Sequence, residues 1–155
     1  AEICARMATD LGGGATPDAA MAAIKEILPA IELAEFDPPP TPDNLDVVLA
    51  ADIYNRHVIF GGASRAGGSV AGLTSRLIRR GAETARTTDP EALTGKLTDI
   101  VAHVANTLAA YGEKLSAGDV IITGSITPPI MLDADETGLT HALDPIGKVS
   151  VHFSW

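Results

Sequence analysis

The sequence predicts an α+β domain dominated by β-sheet, and three observations carry that prediction. Apolar and polar residues alternate in several short runs, other runs repeat at helical spacing, and the two kinds do not follow one another with regular βαβ spacing. The chain of 155 residues, 46% hydrophobic and 20% charged, suits one domain spanning 1–155. At that length folding buries roughly two thirds of the unfolded surface, so a core forms without disulfides or structural zinc.

In chain order, Ala1 to Met7 reads as a short extended segment, broken by Gly12, Gly13 and Gly14. Thr16-Pro17 is a helix start, because a hydroxyl caps free amides and proline at the first helical position forfeits no needed hydrogen bond. Met21, Ile24, Ile27 and Leu28 share one helical face, and Pro29 ends that helix. Ala30 to Phe36 alternates, with Ile31 and Leu33 on one side of a strand and Glu32 on the other. Pro38 to Pro40 form a stiff turn. Thr41-Pro42 then opens a short helix through Val47, Val48 and Ala51, followed by a strand from His57 to Phe60 and a Gly/Ser/Ala loop over 61–68.

From Ser69 the pattern predicts a hairpin, with Leu73, Ser75 and Leu77 rising to a turn at Arg80-Gly81 and Glu83 to Thr87 returning. Asp89-Pro90 begins the clearest helical region, whose stripe is Leu97, Val101, Val104, Leu108 and Tyr111, with Gly112 as its stop. Ala117-Gly118-Asp119 turns into a buried strand, Val120 to Thr123. The chain ends in alternation, Val149, Val151, Phe153 and Trp155 against Ser150, His152 and Ser154.

Eleven basic and twenty acidic side chains give a net charge of −9, unevenly spread. Residues 1–55 carry ten acids and two bases, whereas 56–86 carry six arginines and one acid. An acidic protein repels the phosphate backbone, which argues against nucleic-acid binding. The arginine segment reads as a solvated basic strand face, with an anion site or a subunit contact as alternatives. Cys4 is the single cysteine and cannot form an internal disulfide, which fits a reducing, cytoplasmic setting and a small buried apolar residue. No apolar run approaches the roughly 18 to 20 residues of a membrane span, and no signal-peptide pattern opens the chain. The strand pattern is already under way at Ala1, as if a section upstream had been removed.

P-loop, GxGxxG, GxSxG and HExxH signatures are absent from the sequence. Gly12 to Gly14 lack a following Lys-Ser/Thr and read as a turn. His57, His103, His141 and His152 lie far apart and read as packing or surface residues. What stands out is Glu32, a carboxylate inside the apolar run Leu28-Pro29-Ala30-Ile31-Glu32-Leu33. A charge facing a dry interior costs several kcal/mol unless it is paired or bound to a cation. Glu2, before Ile3, is a second acid on an expected strand. Two such oxygen ligands suit Mg²⁺ or Mn²⁺. The alternative is that both acids face solvent on edge strands.

Four segments occur in order: Ala1-Glu2-Ile3, Leu28 to Leu33, Leu115 to Ser125 with Pro128-Pro129, and Ile146 to Val151. Together they resemble the 2-keto-4-pentenoate hydratase and 4-oxalocrotonate decarboxylase branch of the fumarylacetoacetate hydrolase superfamily. The resemblance runs through essentially the whole chain and implies a mixed-sheet, β-roll core with flanking helices. In that family a Glu-x-Glu pair and a later Glu in the LPAxE segment bind a divalent ion. By match, Glu2 is the second member of the pair and Glu32 the later ligand. The first member and a lysine-bearing N-terminal section would lie upstream of Ala1, so the resemblance implies the C-terminal core of such an enzyme.

Thr123, Gly124 and Ser125 match the family's substrate-facing strand end, with Ser125 implied to bind the substrate carboxylate and a plain turn role as its alternative. Asp52 and Asn55 match an Asp-Asn segment near the pocket. The resemblance implies a Mg²⁺- or Mn²⁺-dependent hydratase of 2-hydroxydienoates in aromatic catabolism, working on a small 2-oxo acid as a homo-oligomer, with no nucleic-acid or membrane partner. Decarboxylation and C–C bond hydrolysis are alternatives within the superfamily. A non-catalytic subunit or fragment that keeps the fold is the alternative from outside enzymology, and no general acid or base is assigned.

Overall fold

Two antiparallel sheets, each with hydrophobic residues on its inner face, define the molecule. The computed structural model describes residues 1–37, 39 and 41–154, so the expectations that fall on Pro38, Pro40 and Trp155 lie outside the described residues. The first sheet contains β1 (Glu2–Met7), β2 (Ile24–Ala34), β3 (Asn55–Phe60), β4 (Arg65–Ala66) and β7 (Val120–Ile122), in the order β3-β2-β1-β7 with β4 also against β2. The second contains β5 (Thr74–Arg79), β6 (Ala82–Thr87), β8 (Gly138–Asp144) and β9 (Gly147–His152), in the order β6-β5-β8-β9. Among the described residues three α-helices complete the α+β architecture: α1 (Pro17–Ala23), α2 (Leu45–Ala50) and α3 (Leu97–Ala110).

The start of α1 is the expected one: Pro17 opens it and the Thr16 hydroxyl accepts from the Ala19 N–H at 3.2 Å. Its end is not. The helix stops at Ala23, and Ile24 to Leu28, expected on a helical face, are strand, because their apolar side chains fill the sheet opposite β1. Pro29, expected to end the helix, sits inside β2. Its carbonyl accepts from the Gly61 N–H at 2.9 Å, so its nitrogen points to the same side, between the β3 and β4 ladders, where no N–H is required. Gly61 is glycine for a steric reason: a Cβ there would lie 2.7 Å from Pro29 Cγ.

Helix α3 begins at Leu97, later than Asp89-Pro90 suggests. Gly95 turns with a φ of +84°, and the Glu91 carboxylate accepts from the Leu97 N–H at 2.8 Å, taking the capping role. Tyr111, expected in the apolar stripe, is exposed, while Leu97, Val101 and Ala105 are buried against α1 and β1. Strand β8 was not legible in the pattern at all. Strand β4 lies inside the stretch 61–68 expected to be a loop, where pairing with β2 extends it, while the other strands and the Arg80-Gly81 turn stand close to where the alternation puts them.

The two sheets meet through Ile31, Leu77, Leu139 and Val149. Among them His141 of β8 is completely buried, with Nδ1 3.0 Å from the Ala30 carbonyl of the first sheet and Nε2 3.1 Å from the Ser75 hydroxyl. A carbonyl only accepts, so Nδ1 carries the proton and Nε2 accepts from Ser75. Burial pushes the His141 pKa down to about 4, so the imidazole is neutral and clasps one sheet to the other. Cys4 is also fully buried, and burial pushes its thiol up to about 11. Among the described residues no helix is long and apolar enough to cross a membrane.

The arginine segment is not a solvated basic face. Arg76 pairs with Asp144 at 2.6 Å, Arg79 with Glu136, Arg80 with Asp135 at 2.5 Å and Asp133 at 3.1 Å, and Arg56 with Glu35 at 3.1 Å. The positive charge of the β5–β6 hairpin is answered by its own Glu83, which pairs with Arg86 and Arg76, and by acids far along the chain.

Candidate active site

The strand register brings Glu2 and Glu32 together. Glu2 stands opposite Ala30 in the β1–β2 ladder, and Glu32, two residues beyond Ala30, faces the same side of the sheet as Glu2's diagonal neighbour. The two carboxyls are within hydrogen-bonding reach of one another. Glu2 is 2% exposed, and its Oε2 accepts from the Gly124 N–H at 2.8 Å. Burial first, and then the neighbouring Glu32 carboxyl, push the Glu2 pKa up to about 7. Gly124 can approach so closely because it adopts a φ of +93°, which a side chain would strain.

Glu32 is held from its other side by the Asn55 amide, which donates to Oε1 at 2.7 Å. Asn55 follows three consecutive left-handed residues, Asp52, Ile53 and Tyr54, with φ values of 54°, 50° and 67°. Such a corner costs of order 1–3 kcal/mol per residue and persists where surrounding contacts impose it. Here the buried Tyr54 supplies those contacts. Its ring packs edge-to-face on Phe36 with centroids 5.3 Å apart, and its carbonyl accepts from the Glu35 N–H at 3.1 Å.

Both carboxylates open onto a cleft of about 370 Å³. Its remaining wall is largely apolar, with Ile31, Leu33, Phe36, Ile130, Met131 and Leu139 among the contributors, and Ser125 and Thr127 add hydroxyl-bearing side chains. The residues singled out from sequence are distributed unevenly around it. Glu2, Glu32 and Ser125 line it, Gly124 reaches it through Glu2, and Asn55 stands behind Glu32. The Thr123 hydroxyl donates to the Ile3 carbonyl at 3.1 Å, joining β7 to β1, and Asp52 is exposed on the strained corner outside the lining. The Ser125 hydroxyl donates to the Thr127 carbonyl at 2.7 Å, the local bond of a turn.

Two features of the site escaped the sequence. Thr127 is 6% exposed, and its hydroxyl has no hydrogen-bond partner among the described residues, an arrangement that costs roughly 1–3 kcal/mol. Arg79 of β5 holds the cleft wall from outside: it donates to the Met131 carbonyl at 3.3 Å and forms a two-pronged pair with the fully buried Glu136. The excess of arginine over 56–86 and the acids at 133, 135 and 136 were visible as charge, but their meeting needed the fold. Among the described residues no group of three or more His, Cys, Asp or Glu side chains converges as a metal cluster, so Glu2 and Glu32 stand as a pair.

No protein-family model matches the chain. Solved structures do. The 4-oxalocrotonate decarboxylase of Pseudomonas putida G7, complexed with calcium and acetate, superposes with a TM-score of 0.83 at 25% identity over 99% of this chain. The same enzyme complexed with magnesium and adipate gives 0.83 at 26% identity. The fumarylacetoacetate hydrolase of Exiguobacterium antarcticum shares the fold at a TM-score of 0.70 and 17% identity, over 99% of this chain and 55% of that one. The chain spans 58% and 59% of the two decarboxylase chains. In fold and in the order of its segments the chain is similar to the fumarylacetoacetate hydrolase superfamily, and within it to 4-oxalocrotonate decarboxylase.

Proposed function

We propose that the chain forms the core of a divalent-metal-dependent enzyme of 2-oxo acids, and that its reaction adds water to a 2-hydroxydienoate to give a 4-hydroxy-2-oxo acid. The observation that carries this reading is the meeting of the Glu2 and Glu32 carboxyls at one end of an apolar cleft. The neighbouring Glu32 carboxyl helps to raise the Glu2 pKa, and a cation bound at the pair would relieve that penalty. An all-oxygen donor set suits Mg²⁺ or Mn²⁺, which keep other positions for water and substrate oxygens. The magnesium and calcium of the decarboxylase structures support the same choice.

When bound, the ion supplies neutralisation of the negative charge that develops on the substrate's 2-oxo oxygen. The chain's own residues do the rest. Asn55 fixes one oxygen of Glu32 and the Gly124 N–H one oxygen of Glu2, which leaves the other oxygens free for ligation. Ser125 binds the substrate carboxylate after its hydroxyl turns away from the Thr127 carbonyl. The apolar wall excludes water from all but the polar end. Self-association belongs to the same proposal, supported by the exposed Leu45, Leu49 and Ile53, the last of which lines the cleft. Size-exclusion chromatography with light scattering reads it directly.

Decarboxylation is the second reading, supported by the likeness to 4-oxalocrotonate decarboxylase. One experiment separates them: loss of dienoate absorbance and release of carbon dioxide are followed with Mg²⁺, Mn²⁺ or EDTA. Hydration of 2-hydroxypenta-2,4-dienoate that needs metal and disappears in Glu32→Gln supports the first reading. Carbon dioxide release from a 2-oxo-enedioate without hydration supports the second. Calorimetry that detects no Mg²⁺ or Mn²⁺ binding overturns both and leaves a scaffold role.

A further inference from the structure

Resting on the reading just given, we infer that the cleft selects 2-oxo acids whose far end is apolar and uncharged over 2-oxo dicarboxylates of the same length. The polarity of the cleft is one-sided. Glu2 and Glu32 gather at one part of the lining, while Ile31, Leu33, Phe36, Ile130, Met131 and Leu139 supply hydrocarbon. None of the described residues that line it is a lysine, arginine or histidine.

Three arginines outside the lining are already engaged. Arg79 reaches the Met131 carbonyl from outside the lining, but its guanidinium is held by Glu136 and lies 3.6 Å from Asp133. Arg80 is bound to Asp133 and Asp135, and Arg56 to Glu35. A substrate anchored by its 2-oxo acid end therefore lays its remaining carbons along apolar side chains. A second carboxylate there would lose hydration without meeting a counter-ion among the described residues, whereas an alkyl or alkenyl end gains by leaving water. The Thr127 hydroxyl can answer one uncharged polar atom and cannot neutralise an anion.

The test is calorimetric titration of the whole 155-residue protein with Mn²⁺ present, comparing 2-oxohexanoate with 2-oxoadipate, two ligands of six carbons that differ in the terminal carboxylate. The wild-type protein is expected to bind 2-oxohexanoate at least tenfold more tightly. A Met131→Lys variant adds a cation at a position 70% exposed, where folding tolerates it, and is expected to close that gap by at least fivefold. Equal or tighter binding of 2-oxoadipate by the wild-type protein overturns this inference and leaves the metal-dependent 2-oxo acid reading standing. Failure of both ligands to bind with Mn²⁺ overturns the two together.

Discussion

Replacing Glu2 by Gln should uncover a pH dependence of stability that the intact protein conceals. His141 is fully buried with a pKa of about 4, against an ordinary value of 6.5. A basic group held below its unfolded value supports the fold fully above that value, and its support is lost as pH falls from 6.5 towards 4. At about 1.4 kcal/mol per pH unit, this loss amounts to about 3 kcal/mol. Glu2 acts with the opposite sign. Its carboxyl sits at about 7 rather than 4.5, so the folded chain keeps a proton that the unfolded chain releases, and stability rises as pH falls from 7 to 4.5. That gain is also about 3 kcal/mol. Between pH 4.5 and 6.5 the two nearly cancel in the metal-free protein.

Glu2→Gln keeps an oxygen for the Gly124 N–H and removes the titration. The variant should be more stable than the wild-type protein at pH 8 by up to about 3 kcal/mol, then lose about 1.4 kcal/mol for each pH unit from 6.5 down to 4.5. Urea unfolding followed by circular dichroism in EDTA reads this. With a slope of roughly 1–3 kcal/mol per molar urea, the midpoint shift at pH 8 is of order 1 M or more. Parallel pH curves for the two proteins would refute the reasoning, because they would mean that Glu2 ionises normally at the end of the cleft.

Three further outcomes are expected. Thr127→Val deletes an unpaired buried hydroxyl and should raise stability by about 1 kcal/mol; a loss in urea unfolding would show that the hydroxyl has a partner. Arg79→Ala takes the guanidinium partner from Glu136 and should lower stability, visible as a drop in Tm, with part of the loss recovered when Glu136→Leu is added. Mn²⁺ affinity should rise about tenfold per pH unit from 5 to 7 and level off above, since binding displaces the Glu2 proton; calorimetry showing a flat profile across that range would count against ligation by Glu2.

Much of the site could be read from order along the chain. A charged Glu32 among Leu28, Ile31 and Leu33 needs an explanation in any fold, because burial of a lone carboxylate is so costly. The Thr16-Pro17 start, the Arg80-Gly81 turn and the alternation of the final strand are local, so local pattern suffices for them. Strand β8 failed that test for a physical reason. Its inward positions Leu139, His141 and Leu143 include a histidine, which interrupts the apolar alternation, and it faces inward only because Ala30 and Ser75 provide hydrogen-bond partners from other strands. The switch from helix to strand at Ile24 is similar: apolar residues there satisfy either period, and pairing with β1 decides.

By itself, then, the amino-acid order determined the α+β class, the main strands and the two acids that call for a partner, since these follow from side-chain chemistry and from short-range backbone preference. Only the tertiary structure decided that Glu2 and Glu32 meet, that Asn55 and Gly124 hold them, that the Thr127 hydroxyl has no partner among the described residues, and that Arg79 braces the cleft wall. Each of those facts depends on strand register or on contacts between distant segments, and neither is encoded in any local window of the chain.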